Sequence, residues 1–424
     1  MTGIKKIKGA AMQLALLIAT VVALLLSSFL LLTHTHSLFR TQSNQLFDVI
    51  EGANKGMRFT FSSEKYGADS VIIANDLSKT IVKKEHWGAF EKIQATTHKG
   101  SKSFSKMAFT AGGDIKKDLA IYVCNTNLPL VLAGTAHIQG NAFVPDRGVK
   151  AGVISGNYFQ GKTLINGHIS QSNLNLPELD PDWLQYVKAV QQYIPSTKDE
   201  PLDLQLENQQ SFFEPTQYLY TSERLFTSEK YVGNIMLIST SEIIIGPQTQ
   251  LTDVLVVAPK ITIQSGFHGN ATFIAEEQVI VEQNVHLNYP SSIIVAAIHS
   301  EEEEEENLNT EETPILISNN ANVEGSVIYL VEAPFDSNSK NRSRVHIRTE
   351  PNAKVHGMVY CMGNLEHLGA VSGSVYTQKF IASAEGSKYI NHLYNGSINA
   401  LDRHADLYSI LFSNTQKTTV KWLY

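Results

Sequence analysis

The longest hydrophobic stretch in the chain is AAMQLALLIATVVALLLSSFLLL over residues 10–32, interrupted only by Gln, Thr and Ser. About 20 apolar residues at a rise of about 1.5 Å each span the hydrocarbon core of a bilayer, so the pattern predicts a transmembrane helix over 10–32. Beyond it, Leu38, Phe39, Leu46, Phe47 and Ile50 fall on one helical stripe, which predicts a juxtamembrane helix over 33–58. The pattern then changes. MRFTF, DSVIIAN, KMAFTA and DLAIYVCN are short, β-branched or aromatic runs separated by Gly67, Asn75, Gly100 and Gly112-Gly113. They predict a small β-rich or α+β membrane-proximal region over 59–128.

From residue 129 to 177 glycines recur at 134, 140, 156, 161 and 167, a spacing near six that suits short strands stacked coil upon coil. PELDPDWLQYVKAVQQYI predicts a helix with Asp180 as N-cap and Pro181 as its first residue, followed to 234 by a polar excursion. The strongest periodicity begins at 243. Ile243 and Ile245 recur as Ile261 and Ile263, then as Val279 and Val281, each 18 residues on, while Val256 recurs as Ile274 and Phe267 as Val285. After an acidic loop (300–313) the motif returns as VEGSVIYL, VHGMVYCM and VSGSVYTQ, whose glycines are Gly325, Gly357 and Gly373. A repeat this short cannot bury its own apolar side and must stack on a neighbour. The fold expected is therefore mainly β: a parallel β-helix (solenoid) in two blocks, 129–177 and 235–388. Residues 389–424 cap its end, INALDRHADLYSILF as a helix or a cap and TTVKWLY docked. A β-sandwich with accidental spacing is the competing arrangement.

Composition narrows the function. With 424 residues, 43% hydrophobic, the chain can bury sizeable cores, and a net charge of −7 gives no reason to expect nucleic acid. Two cysteines, Cys124 and Cys361, exclude a disulfide scaffold or a thiolate zinc cluster by count and are expected to be buried thiols. A polysaccharide-cleaving β-helix would need carboxylates stacked on adjacent coils. Glu276, Glu277 and Glu282 do not provide them, because one coil earlier stand Ala258, Pro259 and Gln264. The histidines show no H-x-x-x-H pair and no His/Cys cluster, so no metal or other cofactor is expected. Neither a G-x-S-x-G elbow nor a phosphate loop is present. Glu301–Glu306, with Glu311 and Glu312, read as a solvated loop.

The N-terminus adds direction. Lys5, Lys6 and Lys8 precede the apolar run and Arg40 is the first cation after it, which places the N-terminal residues 1–9 in the cytoplasm and the bulk outside. A cleaved secretory signal is the alternative; the length of the run and the sequence THTHSLFR after Leu32 weigh against it. Lys-Ile-Lys-Gly followed by Ala10 and an unbroken apolar helix also resembles the start of a type IV pilin or pseudopilin precursor. That resemblance covers about the first 60 residues. It implies processing between Gly9 and Ala10 and stem assembly through Leu14, Leu17 and Val21. Leu14 stands where most pilins carry Glu, as in the large minor pseudopilins. The V-x-G-x-V-Y coils and I-x-I repeats, over roughly 130–175 and 235–385, resemble bactofilins, the polymer-forming cytoskeletal class of β-helix proteins. The function expected is a non-enzymatic, membrane-anchored scaffold of the cell envelope, its partners being lipid at the helix and other envelope proteins or further copies. A minor pseudopilin-like subunit and a polysaccharide-binding or polysaccharide-cleaving protein stand as alternatives.

Overall fold

The computed structural model describes residues 7–62, 70–75, 78–112, 118–195, 200–201, 207–297, 312–331, 343–402, 412 and 417–423. The chain divides into two compact units, Met1–Thr60 with Tyr66–Lys83 and Gln94–Lys106, and Phe61–Lys65 with Lys84–Ile93 and Met107–Tyr424.

The first unit is built on α1 (Ile7–Ser62), a single helix of 56 residues. No proline occurs before Pro129, so nothing removes a backbone donor or kinks the helix. The segments expected as a transmembrane helix and a juxtamembrane helix are thus one rod. Four strands follow, β1 (Ser70–Asn75), β2 (Ser78–Trp87), β3 (Phe90–Lys99) and β4 (Lys102–Gly112); the parts of β2–β4 within Lys84–Ile93 and from Met107 on belong to the second unit. β1 and β2 form an antiparallel hairpin with Asn75 opposite Ser78. The distal end of α1 lies on this unit's strands through Val49, Ala53 and Met57, all buried. Gly52 and Gly56 let the helix approach: a Cβ on Gly52 would come 2.6 Å from Thr97 Cγ2, and one on Gly56 2.9 Å from Thr80 Cγ2. Thr80 and Thr97 share a hydroxyl hydrogen bond of 2.8 Å beneath them, which satisfies two polar groups in an otherwise apolar contact.

The second unit is a sheet of mostly parallel strands. Gln250–Ile263, His268–Val281 and His286–Ala297 follow one another in parallel register, then Asn322–Val331, Lys354–His367 and Ala370–Ala384. Ile243 pairs with Ile261, Ile261 with Val279, Val279 with Ile315, Ile315 with Ile347, and Ile347 with Leu365. These side chains form one inward column of a fully buried core.

The expectation of a parallel β-helix is corrected here: the sheet is a closed barrel and not an open solenoid. Its closure comes from pairings the repeat does not announce. Strand Ala370–Ala384 pairs with β5 (Leu119–Val123), placing Tyr376 beside Tyr122, and Ser397–Asn399 pairs with His137–Gln139. β5 in turn pairs with Asn141–Val144, and that strand with Ile169–Gln171. A repeat fixes how each strand meets the next one; whether the two ends of the series meet depends on strands remote in sequence. Strands from 129–177 and from 235–388 thus meet in the barrel, while Leu130–Ala133 and Val149–Ala151 form a separate sheet with His392–Tyr394. Strands Glu207–Gln210 through Lys230–Gly233 also join the barrel, within the span read as an excursion. Between Gln250–Ile263 and His268–Val281 the register slips twice, after Thr252 and again after Ala258. Thr252 faces Asn270 but Val254 faces Ala271, so Val256 meets Phe273, and Ile274 is the partner of Val257. Asp253, with φ +61°, is the residue left over at the first slip.

The outer face of this unit is also apolar. Ile328, Tyr360, Tyr376 and Tyr122 follow one another in register there, and Tyr122 stacks on Phe143 at 5.5 Å between ring centroids. Helix α2 (Pro181–Gln191) covers part of it with Trp183, Val187 and Val190, spaced to fall on one helical face. Asp180 caps the helix by accepting from the Asp182 amide at 2.9 Å. The acidic run 301–306 and residues 403–411 of the C-terminal segment lie outside the described residues.

Candidate functional site

The apolar stem is the first candidate. Gly9 and Ala10 lie within α1, and Leu14, Leu17 and Val21 are exposed by 61%, 60% and 48%. Exposure of a long apolar face in a monomer marks a surface that something else covers. Among the described residues, α1 is the one helix long and apolar enough to cross a membrane. The exposed apolar surface continues past Leu32: Leu38, Phe39, Leu46 and Phe47 remain uncovered at 50%, 69%, 47% and 70%. Polar side chains in this part serve the helix itself, as Thr33 and Thr35 donate back to the carbonyls of Phe29 and Leu31. Further along, Asp48 accepts from Lys99, and Asn54 accepts from Lys106 at 3.0 Å, both within the first unit. The stem thus passes from a wholly exposed apolar portion to a clasped polar and small-residue portion.

The residues singled out for stacking sit in two places. Ile243, Ile245, Ile261, Ile263, Val279 and Val281 point into the barrel and are buried. Gly325, Gly357 and Gly373 pair in register at a bend, with φ of +143°, +138° and +151°. A Cβ on Gly357 would lie 2.0 Å from the Gly325 carbonyl oxygen, and one on Gly373 1.8 Å from that of Gly357. Here glycine is required on both conformational and steric grounds.

Two buried polar groups were not legible in the sequence. In the second unit the carboxylate of Glu91 has no exposed surface and takes ion pairs from Lys84 at 2.5 Å and Lys417 at 2.7 Å. Burial lowers the Lys417 ammonium, with Lys84 adding repulsion; the Glu91 carboxylate outweighs burial at Lys84 and holds its value up. One carboxylate serves two ammonium groups, so the second is held less firmly. Lys417 opens the C-terminal strand Lys417–Leu423, which pairs antiparallel with β4, and Lys421 reaches Asp253 at 2.6 Å. The arrangement ties that strand down. It presents no open carboxylate to a substrate.

The other group lies in the barrel core. His367 and Thr349 continue the inward column of Ile245, Ile263, Val281 and Ile317. His367 Nε2 lies 3.0 Å from the Ser397 carbonyl and Nδ1 2.6 Å from Thr349 Oγ1. A carbonyl only accepts, so Nε2 carries the proton and Nδ1 accepts from the hydroxyl. Burial lowers His367 to about 4, and lowers His346, stacked on Tyr329, to about 3. Both rings are neutral core members. Cys124 and Cys361 are buried and form no disulfide, and burial pushes each thiol up to about 12, away from thiolate reactivity.

No protein-family model matches the chain, and no curated protein is similar to it in sequence. Among solved structures, the competence-associated pilin ComZ from Thermus thermophilus aligns with 89% of this chain and 96% of that chain, at 10% identity and a TM-score of 0.23. A score that low does not establish a common fold, and the bactofilin resemblance gains no support. What is similar is a solved pilin; what is established for this chain is a mainly β molecule carrying one long apolar N-terminal helix.

Proposed function

We propose that this chain is a membrane-anchored assembly subunit of the minor pseudopilin kind. Its stem is laid down in the membrane with residues 1–9 in the cytoplasm and the β units outside. The observation that carries the reading is α1 itself: one unbroken helix whose first part exposes apolar side chains and whose last part is clasped by the strands of its own unit. A tether needs only to cross the bilayer. This helix is about 84 Å long at 1.5 Å per residue, and it keeps exposing Leu38, Phe39, Leu46 and Phe47 well beyond the span a bilayer requires. The Gly9–Ala10 junction, preceded by Lys5, Lys6 and Lys8, supplies the leader that such subunits lose. The role is one of assembly, without catalysis.

N-terminal sequencing of the mature protein, expressed with and without a prepilin-type leader peptidase, tests this. A mature chain beginning at Ala10 only when the peptidase is present is the expected result, and Gly9→Val should abolish the cut. An intact N-terminus in both hosts overturns the pilin-type assignment and leaves an envelope scaffold on an ordinary signal anchor.

A further inference from the structure

Two histidines that stand one repeat apart in the sequence stand side by side in the fold. His268 opens strand His268–Val281 and His286 opens strand His286–Ala297, and the parallel register sets them directly opposite each other. Their ring centroids are 5.7 Å apart with 42° between planes, and both residues are exposed. Asn288, one pleat along from His286 on the same strand, places its amide 3.0 Å from His268 Nε2. The backbone beneath is fixed, since the His286 amide donates to the Phe267 carbonyl at 2.9 Å.

We propose that His268 and His286 form a two-imidazole binding site for a borderline divalent cation. Asn288 would supply a carboxamide oxygen and water the remaining positions. Neutral imidazole nitrogens are the side-chain ligands these cations favour, and the general order of stability puts Cu²⁺ ahead of Zn²⁺ and Ni²⁺. Hydrogen-bonded strands hold the two rings at a set separation, so a chelate forms without ordering a loop. The Asn288 amide must turn to present its oxygen, a rotation that exchanges its nitrogen and oxygen in place. Among the described residues no three His, Cys, Asp or Glu side chains converge on a metal position. The site is therefore open and two-handed, distinct from a closed four-ligand structural zinc site. A sequence pattern for metal binding looks for ligands a few residues apart; here the spacing is the 18-residue repeat, and register does the convergence.

The test is titration of the full chain in detergent micelles with CuCl₂ and with ZnCl₂ in a non-chelating buffer, followed by calorimetry and, for Cu²⁺, electron paramagnetic resonance. We expect one saturable event of unit stoichiometry, weakened about tenfold or more by His268→Asn or His286→Asn alone and abolished in the double variant. The Cu²⁺ spectrum should show two nitrogen ligands in the parent and one in either single variant. His137→Asn, at an exposed position whose register partner is Ser397, should leave binding unchanged. Thermal melts without metal should coincide for all variants; where one does not, the Gln substitution takes its place. A double variant that binds like the parent, or a parent spectrum with no nitrogen ligand lost in the single variants, overturns the site.

Discussion

Gly357 shows how little latitude a single residue has. Its φ of +138° costs an L-residue about 1–3 kcal/mol, and any Cβ would also strike the Gly325 carbonyl oxygen. Gly357→Ala should therefore shift the unfolding midpoint down sharply, while Gly386→Ala, whose Cβ meets nothing within 4 Å, should lose only the backbone part. His367 sets a second limit, this one on pH. Its folded value is about 4 against an ordinary 6.5, so between those values the unfolded chain takes up a proton that the folded chain refuses. Stability from this group is complete above pH 6.5, falls by roughly 1.4 kcal/mol per unit as pH drops toward 4, and falls no further below that. His346 adds to the same slope. Replacing His367 with Gln should flatten part of the acid limb in denaturant melts recorded from pH 7.5 to 4; an unchanged limb would show that the ring is not the neutral core group described.

At the scale of elements, the C-terminal strand Lys417–Leu423 depends on a carboxylate that has no access to water. Removing one partner of a buried ion group leaves the others uncompensated, which typically costs roughly 3–5 kcal/mol. Glu91→Gln should accordingly free the strand as well as lower stability: limited proteolysis should cut near Lys417 and Lys421 faster in the variant, with the barrel strands still protected. Equal cleavage in both proteins would show that strand pairing alone holds the terminus. None of this was visible beforehand, because Lys417 lies 326 residues from Glu91 and all three look like ordinary surface charges. Other elements were more legible. The repeated Ile243–Ile261–Val279 series marks which residues meet, since an apolar pair at a constant interval states a register outright. The slip at Asp253 escaped because one extra residue in the left-handed region leaves no compositional trace beyond an aspartate.

For the whole molecule, the sequence speaks clearly about the rod at the N-terminus and poorly about closure. Apolar length and helical periodicity are local properties, so helix was legible over 10–32 and 33–58, while their fusion into the single α1 (Ile7–Ser62) came from the structure. Whether parallel strands form an open series or a barrel is decided by Tyr376 against Tyr122 and by Ile398 against Ile138. No periodicity links those residues. The functional candidate divides the same way: the stem was readable, whereas the His268–His286 pair becomes visible only once the repeat is understood as a spatial interval.

The closing pairings also impose an order of events on synthesis. Ser374 Oγ donates to the Leu119 carbonyl across 255 residues of chain, so the strand Leu119–Val123 emerges long before its neighbour exists. Until residues 370–399 have been made, that early strand has an open edge, apolar on both faces and ready to pair with whatever it meets. Sequence-distant closure of this kind is slow. A chain delivered vectorially into the cell envelope would therefore spend its first moments as a sticky intermediate, and its yield would depend on transit outpacing mispairing.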